Sequence, residues 1–103
     1  MGLHILIIVY TITHVNYSFD PRKLAINVAR HGVWFSEADA FEWETVQLRG
    51  DDRKRYSEPR FIATGLIEER LYVMVFCLRE VSVRIISLRK ANDREVKRYV
   101  DNA

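Results

Sequence analysis

RFIATGLIEERLYVMVFCLREVSVRIISL, residues 60–88, decides the fold. It divides into three apolar runs, Arg60–Leu66, Leu71–Leu78 and Val81–Leu88, in which Val, Ile and aromatic residues favour strands. The connections around Glu68-Glu69 and Arg79-Glu80 are too short for parallel crossovers, so we expect antiparallel hairpins. The middle run is apolar on both faces, which predicts a central strand. Neither turn contains Asn-Gly, so packing must set the register.

The chain before this run predicts a short strand and two helices. Residues 15–19 have the composition of a strand. Asp20-Pro21 then supplies an N-cap and a first helical residue, and His31-Gly32 supplies a helix end. A second short helix is predicted from the capping box at residues 36–39, with Phe41 as its apolar anchor. The polar stretch 48–58 reads as a loop or an edge hairpin.

A last helix is predicted from about Asp93 to Val100, because Asn92 followed by Glu95 forms a second capping box. The element order therefore predicts an α+β fold: two N-terminal helices, an antiparallel β-meander sheet and a C-terminal helix, with the helices on one face of the sheet. We expect residues 15–103 to form a single domain.

Residues 1–14 form an N-terminal extension to this pattern. The apolar run Leu3–Tyr10 is too short to span a bilayer and lacks the basic residues and cleavage site of a signal peptide. Two interpretations are open: an extra strand, or disordered sequence upstream of the domain. Neither predicts a membrane partner, and we expect a cytoplasmic protein.

The distribution of charge and the number of cysteines and histidines limit which functions the sequence can have. Between Arg79 and Val100 seven Lys or Arg face three Asp or Glu, a local charge of +4, whereas residues 37–44 hold four acids and no base. This asymmetry suggests one anionic and one cationic partner, although solvated surfaces would give the same pattern. The lone Cys77 excludes an intrachain disulfide and suits a reducing compartment. The three histidines are scattered, so we expect neither a metal nor another cofactor.

Two sets of residues resemble the BrnT-type toxin family. The first is Phe19-Asp20-Pro21, Lys23, Asn27, His31-Gly32-Val33, Phe35 and Ala38, and the second is Arg60-Phe61, Gly65 and residues 84–91 (RIISLRKA). Glu95 and Tyr99 match the terminal helix of that family. The resemblance covers roughly residues 17–101 and is specific because both halves occur in the same order and spacing.

The resemblance implies a RelE-like fold and a metal-independent endoribonuclease, the toxin of a type II toxin–antitoxin system that cleaves RNA and inhibits translation and growth. It also implies a ribbon-helix-helix antitoxin, with operator DNA bound only through that antitoxin. Two departures stand out: Pro59 follows Glu58 where the family often has Glu directly before Arg-Phe, and Cys77-Leu78-Arg79 stands where the family often has Thr-Glu-Arg. The alternative is a catalytically inactive module that binds the antitoxin and tunes operon repression.

Metal-free RNA cleavage needs a base for the ribose 2′-OH, a cation for the phosphate and an acid for the leaving oxygen. Arg84 interrupts an apolar strand, where a charge is costly unless it is used, and a guanidinium suits bidentate phosphate binding. Arg60 and Arg79 would flank it, and His31 could titrate near neutrality, although the role of a helix cap beside the helix dipole is the simpler explanation for this histidine. These four are the predicted catalytic residues.

Three further residues are predicted to contact RNA. Lys23 lies two turns before His31 on the first helix, where a solvated lysine is as good an explanation. Ser87 and Arg89 should share the face of Val83 and Ile85 if the last strand is regular. Trp34 and Trp43 could stack on bases and Tyr99 could act as an acid catalyst, but packing is the simpler role for each.

Overall fold

A computed structural model describes residues 15–103, so the predicted extension at residues 1–14 lies outside the described residues. The strands are β1 (Asn16–Phe19), β2 (Gln47–Gly50), β3 (Phe61–Ile67), β4 (Arg70–Arg79) and β5 (Ser82–Lys90). The helices are α1 (Pro21–His31) and α2 (Asp93–Asp101), and two 3₁₀ helices span Phe35–Ala40 and Trp43–Thr45. The predicted α+β class is confirmed.

The five strands form one mixed sheet in the order β1-β5-β4-β3-β2. Strands β2 to β5 are antiparallel to their neighbours, as predicted, but β1 is parallel to β5. The expectation of a purely antiparallel meander is therefore wrong. A parallel pair between the first and last described strands needs a connection through most of the chain, and no local sequence signal encodes such a pairing.

Both main helices begin where the sequence predicts. The Asp20 carboxylate accepts a hydrogen bond from the Arg22 amide at 2.9 Å, and Gly32 ends α1 at φ +69° with its N–H bonded to the Val28 carbonyl. The Asn92 side chain accepts from the Glu95 amide, while the Glu95 carboxylate accepts from the Asn92 amide, which completes the predicted capping box.

The predicted second helix differs from the expectation. It is a 3₁₀ helix that starts at Phe35, and its N-cap Trp34 lies two residues before the predicted N-cap Ser36, because the Glu37 carboxylate accepts from the Trp34 amide. The predicted anchor Phe41 is buried, and its ring lies edge-on to Trp43 at 4.9 Å between centroids. Residues 48–50 of the stretch predicted as a loop or an edge hairpin belong to the edge strand β2, which pairs with β3.

The helices cover different faces of the sheet, contrary to the prediction of a single helical layer. On the core face, α1 and the 3₁₀ helices enclose the main cluster, whose largest fully buried members are Phe76, Met74, Ile85 and Leu88. On the opposite face, Tyr99 of α2 packs on a smaller cluster of Ile62, Leu71, Val73, Val75 and Ala91. In the described part of the chain, α2 covers only part of that second face, and half-buried polar residues of β5 lie on the remainder.

Candidate nucleic-acid interface

Arginine side chains gather on the sheet face opposite α1, which we call the basic face. Cross-strand partners share a face, and Arg84 pairs with Cys77 while Phe76 and Ile85 pair on the core face. Arg84 is therefore directed away from the core, as the sequence predicts. It is half-buried, and its neighbour in β1 is Ser18.

A bulge in β5 brings two more predicted residues to the basic face. Val75 pairs with Ser87 and Phe76 with Ile85, which leaves Ile86 without a partner in the ladder. The extra residue places Leu88 in the core. Ser87 and Arg89 consequently lie on the face of Arg84, and the expectation that they share the face of Val83 and Ile85 is wrong because the strand is not regular.

Arg79 forms an ion pair with the Glu58 carboxylate at one end of the basic face. The pair lowers the pKa of Glu58, chiefly through the hydrogen bond from Arg79, so this carboxylate is ionised at neutral pH. Both side chains remain accessible, with 43% of Arg79 and 37% of Glu58 exposed. In the sequence Glu58 stands out only as a departure from a motif, because its link to Arg79 depends on a long-range contact.

The Cys77 thiol lies among the charged groups at this end of the sheet. Its pKa is raised by burial first and then by the negative charge of Glu58, while Arg79 and Arg84 act in the opposite direction. The thiol is therefore protonated and inert at neutral pH. The ladder places Arg84 opposite Cys77 and Arg79 two residues farther along β4, and Arg79 is paired with Glu58, so the three charges lie at one end of the sheet.

Arg60, in the segment between β2 and β3, is a third arginine at this end of the sheet. Its guanidinium lies over the Tyr56 ring, 4.1 Å from the centroid, and its charge also lowers the pKa of Glu58. The Tyr56 hydroxyl donates to the Asp51 carboxylate, which is fully buried and accepts two further bonds from the Arg53 guanidinium, at 2.8 and 2.7 Å. This network fixes the Tyr56 ring beneath Arg60, and the polar composition of residues 51–58 gave no signal of it.

His31, a predicted catalytic residue, is not part of this cluster. It is exposed at the end of α1, and its pKa is lowered by partial burial and by the charges of Arg89 and Arg30. Arg89 is itself tied to Glu95 by two bonds of 2.8 Å. His31 therefore lies near the far end of β5, and the structure brings together only Arg60, Arg79 and Arg84 of the four predicted catalytic residues.

The three predicted RNA contacts occupy separate positions. Lys23 is exposed in the first turn of α1, and that end of α1 approaches Arg84, whose charge lowers the pKa of Asp20 after the larger effect of the Arg22 amide bond. Ser87 is half-buried near the middle of the basic face, and Arg89 lies beyond it in its ion pair with Glu95.

Leu78, the most conspicuous departure from the family pattern, packs against the core cluster. A glutamate at this position would therefore point away from the arginine cluster. Among residues 15–103, no group of three or more His, Cys, Asp or Glu side chains could hold a metal ion. No helix in the same range has the length and apolar character needed to span a membrane.

Comparisons with known proteins agree with the fold. Residues 19–95 match the family model described as the ribonuclease toxin BrnT of type II toxin–antitoxin systems. The crystal structure of the Brucella abortus ribonuclease toxin BrnT is similar, with a TM-score of 0.59 and 19% sequence identity over 77% of this chain and 99% of that chain. A search of curated proteins gave no match.

Proposed function

Because this chain belongs to the BrnT family of ribonuclease toxins of type II toxin–antitoxin systems, we propose that it is itself an active, metal-independent endoribonuclease. The observation that carries the proposal is the cluster of Arg60, Arg79 and Arg84 beside one ionised carboxylate, Glu58, on an open sheet face. Guanidinium groups bind phosphate through paired hydrogen bonds, and a nearby carboxylate can accept a proton.

In the proposed reaction, Glu58 takes the proton from the ribose 2′-OH as the 2′ oxygen attacks the adjacent phosphorus. The bond from phosphorus to the 5′ oxygen breaks, and the products are a 2′,3′-cyclic phosphate and a 5′-OH that takes its proton from water. Arg84 and Arg79 would balance the charge that builds on the phosphate oxygens. Arg79 would move from Glu58 toward the phosphate as RNA binds, which frees the carboxylate to act as a base.

The remaining predicted residues receive supporting roles in this proposal. Lys23 would contact the RNA backbone from the first turn of α1, and Ser87 would contact it from the middle of the basic face. Arg89, which is neutralised by Glu95, would chiefly hold α2 on the sheet. His31 is supported least, since the charges that act on it are Arg89 and Arg30.

An antitoxin is the second proposed partner, with a ribbon-helix-helix domain that would bind operator DNA. The acidic segment 37–44 lies on the side of the 3₁₀ helices, away from the basic face. An antitoxin could therefore contact this segment, or occlude the basic face and exclude RNA. We propose a cytoplasmic location because the RNA substrate is there.

Expression without the antitoxin tests the nuclease. We expect wild-type protein to arrest growth with rapid RNA decay, and Arg79→Ala and Arg84→Ala each to lower the cleavage rate about 100-fold or more, as for other lost transition-state contacts. Arg30→Ala, an exposed arginine of α1, is the matched control and should cleave like wild type. Unchanged cleavage by the Arg79→Ala/Arg84→Ala protein would remove the site. A harmless wild-type protein would favour the inactive interaction module.

A further inference from the structure

We propose that the cleft between α2 and strands β2 and β3 binds the nucleotide next to the two that flank the cleaved linkage. The proposal rests on the nuclease function above, because it extends the path of the same RNA strand. The cleft has a volume of about 360 Å³. That is within the lower range of small-molecule sites, which starts at roughly 300 Å³. Its lining includes Gln47, Arg49, Ile62, Thr64, Arg98 and Tyr99.

The Tyr99 ring forms a fixed wall of this cleft. Its hydroxyl donates to the Thr45 carbonyl at 2.6 Å, and its own carbonyl accepts from the Gln47 amide at 2.8 Å. The side chain is thus held at the hydroxyl and at the backbone. An aromatic ring that is already fixed loses little conformational entropy when a base stacks on it, and such stacking is independent of base identity.

Ion pairing fixes the helix that carries this ring. The bidentate bonds from Arg89 to Glu95 connect β5 to α2 across the basic face. They also offset the negative charge of Glu95, the only acidic residue in the cleft lining. Two exposed arginines of the lining, Arg49 and Arg98, then leave the cleft with a net positive charge, which favours an anionic ligand such as a phosphodiester over a neutral one.

The sheet register places the cleft next to the proposed phosphate site. Arg49 pairs with Ile62, which pairs with Val75, and Val75 lies two residues before Cys77, the partner of Arg84. Two residues along a strand span about 6.8 Å, and the two strand spacings from β5 to β3 add about 9.6 Å across the sheet, so Arg84 and Ile62 are roughly 12 Å apart. An extended RNA strand that has its cleaved linkage on Arg84 therefore reaches the cleft with the nucleotide beyond the one that flanks this linkage.

Short RNAs that cannot be cleaved test this subsite. A dinucleotide with a 2′-O-methyl group at the reactive ribose is compared with the same molecule extended by one nucleotide on its 5′ or its 3′ side. We expect one extension to tighten binding to the wild-type protein at least about fivefold, the lower range for one stacked base. Fluorescence anisotropy with a labelled RNA measures the dissociation constants.

Two substitutions should remove this gain by different means. Thr64→Phe fills the cleft from β3, and Arg98→Ala removes a cation from its rim. Arg94→Ala is the matched control, since Arg94 is an exposed arginine of α2 outside the lining, and it should keep the gain. Thermal unfolding checks that each variant is folded, and Arg98→Ala remains decisive if Thr64→Phe is unfolded.

The outcomes separate the subsite from the nuclease. If neither extension tightens binding, or if the gain persists in Arg98→Ala and in folded Thr64→Phe, the subsite is overturned even when the wild-type protein cleaves RNA. If unmodified RNA is not cleaved but the gain is present and is lost in both variants, the subsite stands and the proposed nuclease activity fails.

Discussion

The side chain of Asn27 in α1 bonds both backbone groups of Leu88 in β5. Its Nδ2 donates to the Leu88 carbonyl at 2.7 Å and to the Val33 carbonyl at 2.9 Å, and its Oδ1 accepts from the Leu88 amide at 3.0 Å. Because β1 pairs only with residues 82–85, this amide satisfies the β5 edge where β1 has ended. The buried side chain of Asn27 thus supplies the backbone of Leu88 with the hydrogen bonds that a neighbouring strand would otherwise make.

Asn27→Ala should destabilise the protein by about 2–4 kcal/mol, because it leaves buried backbone groups of Leu88 and Val33 without partners. Chemical denaturation measures the change in free energy of unfolding. Asn16→Ala, which alters an exposed asparagine in β1, is the control and should cost far less. A loss below about 0.5 kcal/mol for Asn27→Ala would contradict the role assigned to this amide.

Cleavage should depend on pH through Glu58. Arg79 lowers the pKa of this carboxylate, so the base form persists below the usual glutamate pKa of about 4.3, and activity should stay level from neutral pH down to that region before it falls. Glu58→Asp should keep a reduced rate with the same dependence, whereas Glu58→Gln should lose both the rate and the acid limb. Rate profiles of kcat/KM against pH decide this, and a Glu58→Gln enzyme with wild-type rates would rule out the carboxylate as the base.

Acid should weaken the attachment of α2 to the sheet. The hydrogen bonds from Arg89 lower the pKa of Glu95 from 4.5 to about 2. The stabilisation is therefore complete above the unfolded pKa and is lost as pH falls through the folded pKa, between about 4.5 and 2. We expect about 1 kcal/mol from this partly exposed pair. Glu95→Gln should flatten the unfolding free energy in that window, while Asp101→Asn, at an exposed pair with Lys97, should not.

In the turn between β3 and β4, glycine should be tolerated without loss of stability at one position only. Glu68 has φ +56°, a conformation that costs an L-residue up to about 1 kcal/mol, whereas Glu69 does not have a positive φ. Glu68→Gly should raise the melting temperature slightly, and Glu69→Gly should lower it because glycine gains more freedom in the unfolded chain. Equal effects of the two substitutions would contradict the turn geometry.

Close packing at Gly65 should make even a methyl group costly. A Cβ there would lie 2.8 Å from Phe41 Cζ, and the Phe41 ring is buried. Gly65→Ala should cost about 1–3 kcal/mol through overpacking. Phe41→Leu in the same protein should recover part of that loss, since it shortens the opposing side chain. Fully additive effects in a double-mutant cycle would show that the two residues do not clash.

Local signals in the sequence were sufficient for the helix ends and the antiparallel strands. Asp20, Gly32 and the Asn92–Glu95 box act on backbone groups within four residues, so their effect is visible without the fold. The parallel partner of β1, the unpaired Ile86 and the second helical layer depend on contacts between distant segments. Hydrophobic patterning carries no information about such pairings.

The candidate site also combines features that local sequence predicts with features that depend on long-range contacts. The alternation around Arg84 predicted that this arginine leaves the core, and the strand position is sufficient for that inference. The bulge then reversed the faces of Ser87 and Arg89, because one extra residue inverts every later side chain. Glu58 was not predicted as a base, since its contact with Arg79 joins residues 21 positions apart through a loop ordered by Asp51.

The parallel pairing of β1 with β5 also has a consequence for biosynthesis. Ser18 cannot pair with Arg84 until the ribosome has translated residue 84. The nascent polypeptide therefore cannot complete the sheet edge beside that arginine during most of its own synthesis. The proposed ribonuclease would therefore lack this sheet edge throughout that time. Its activity would begin only after nearly all of its message has been read.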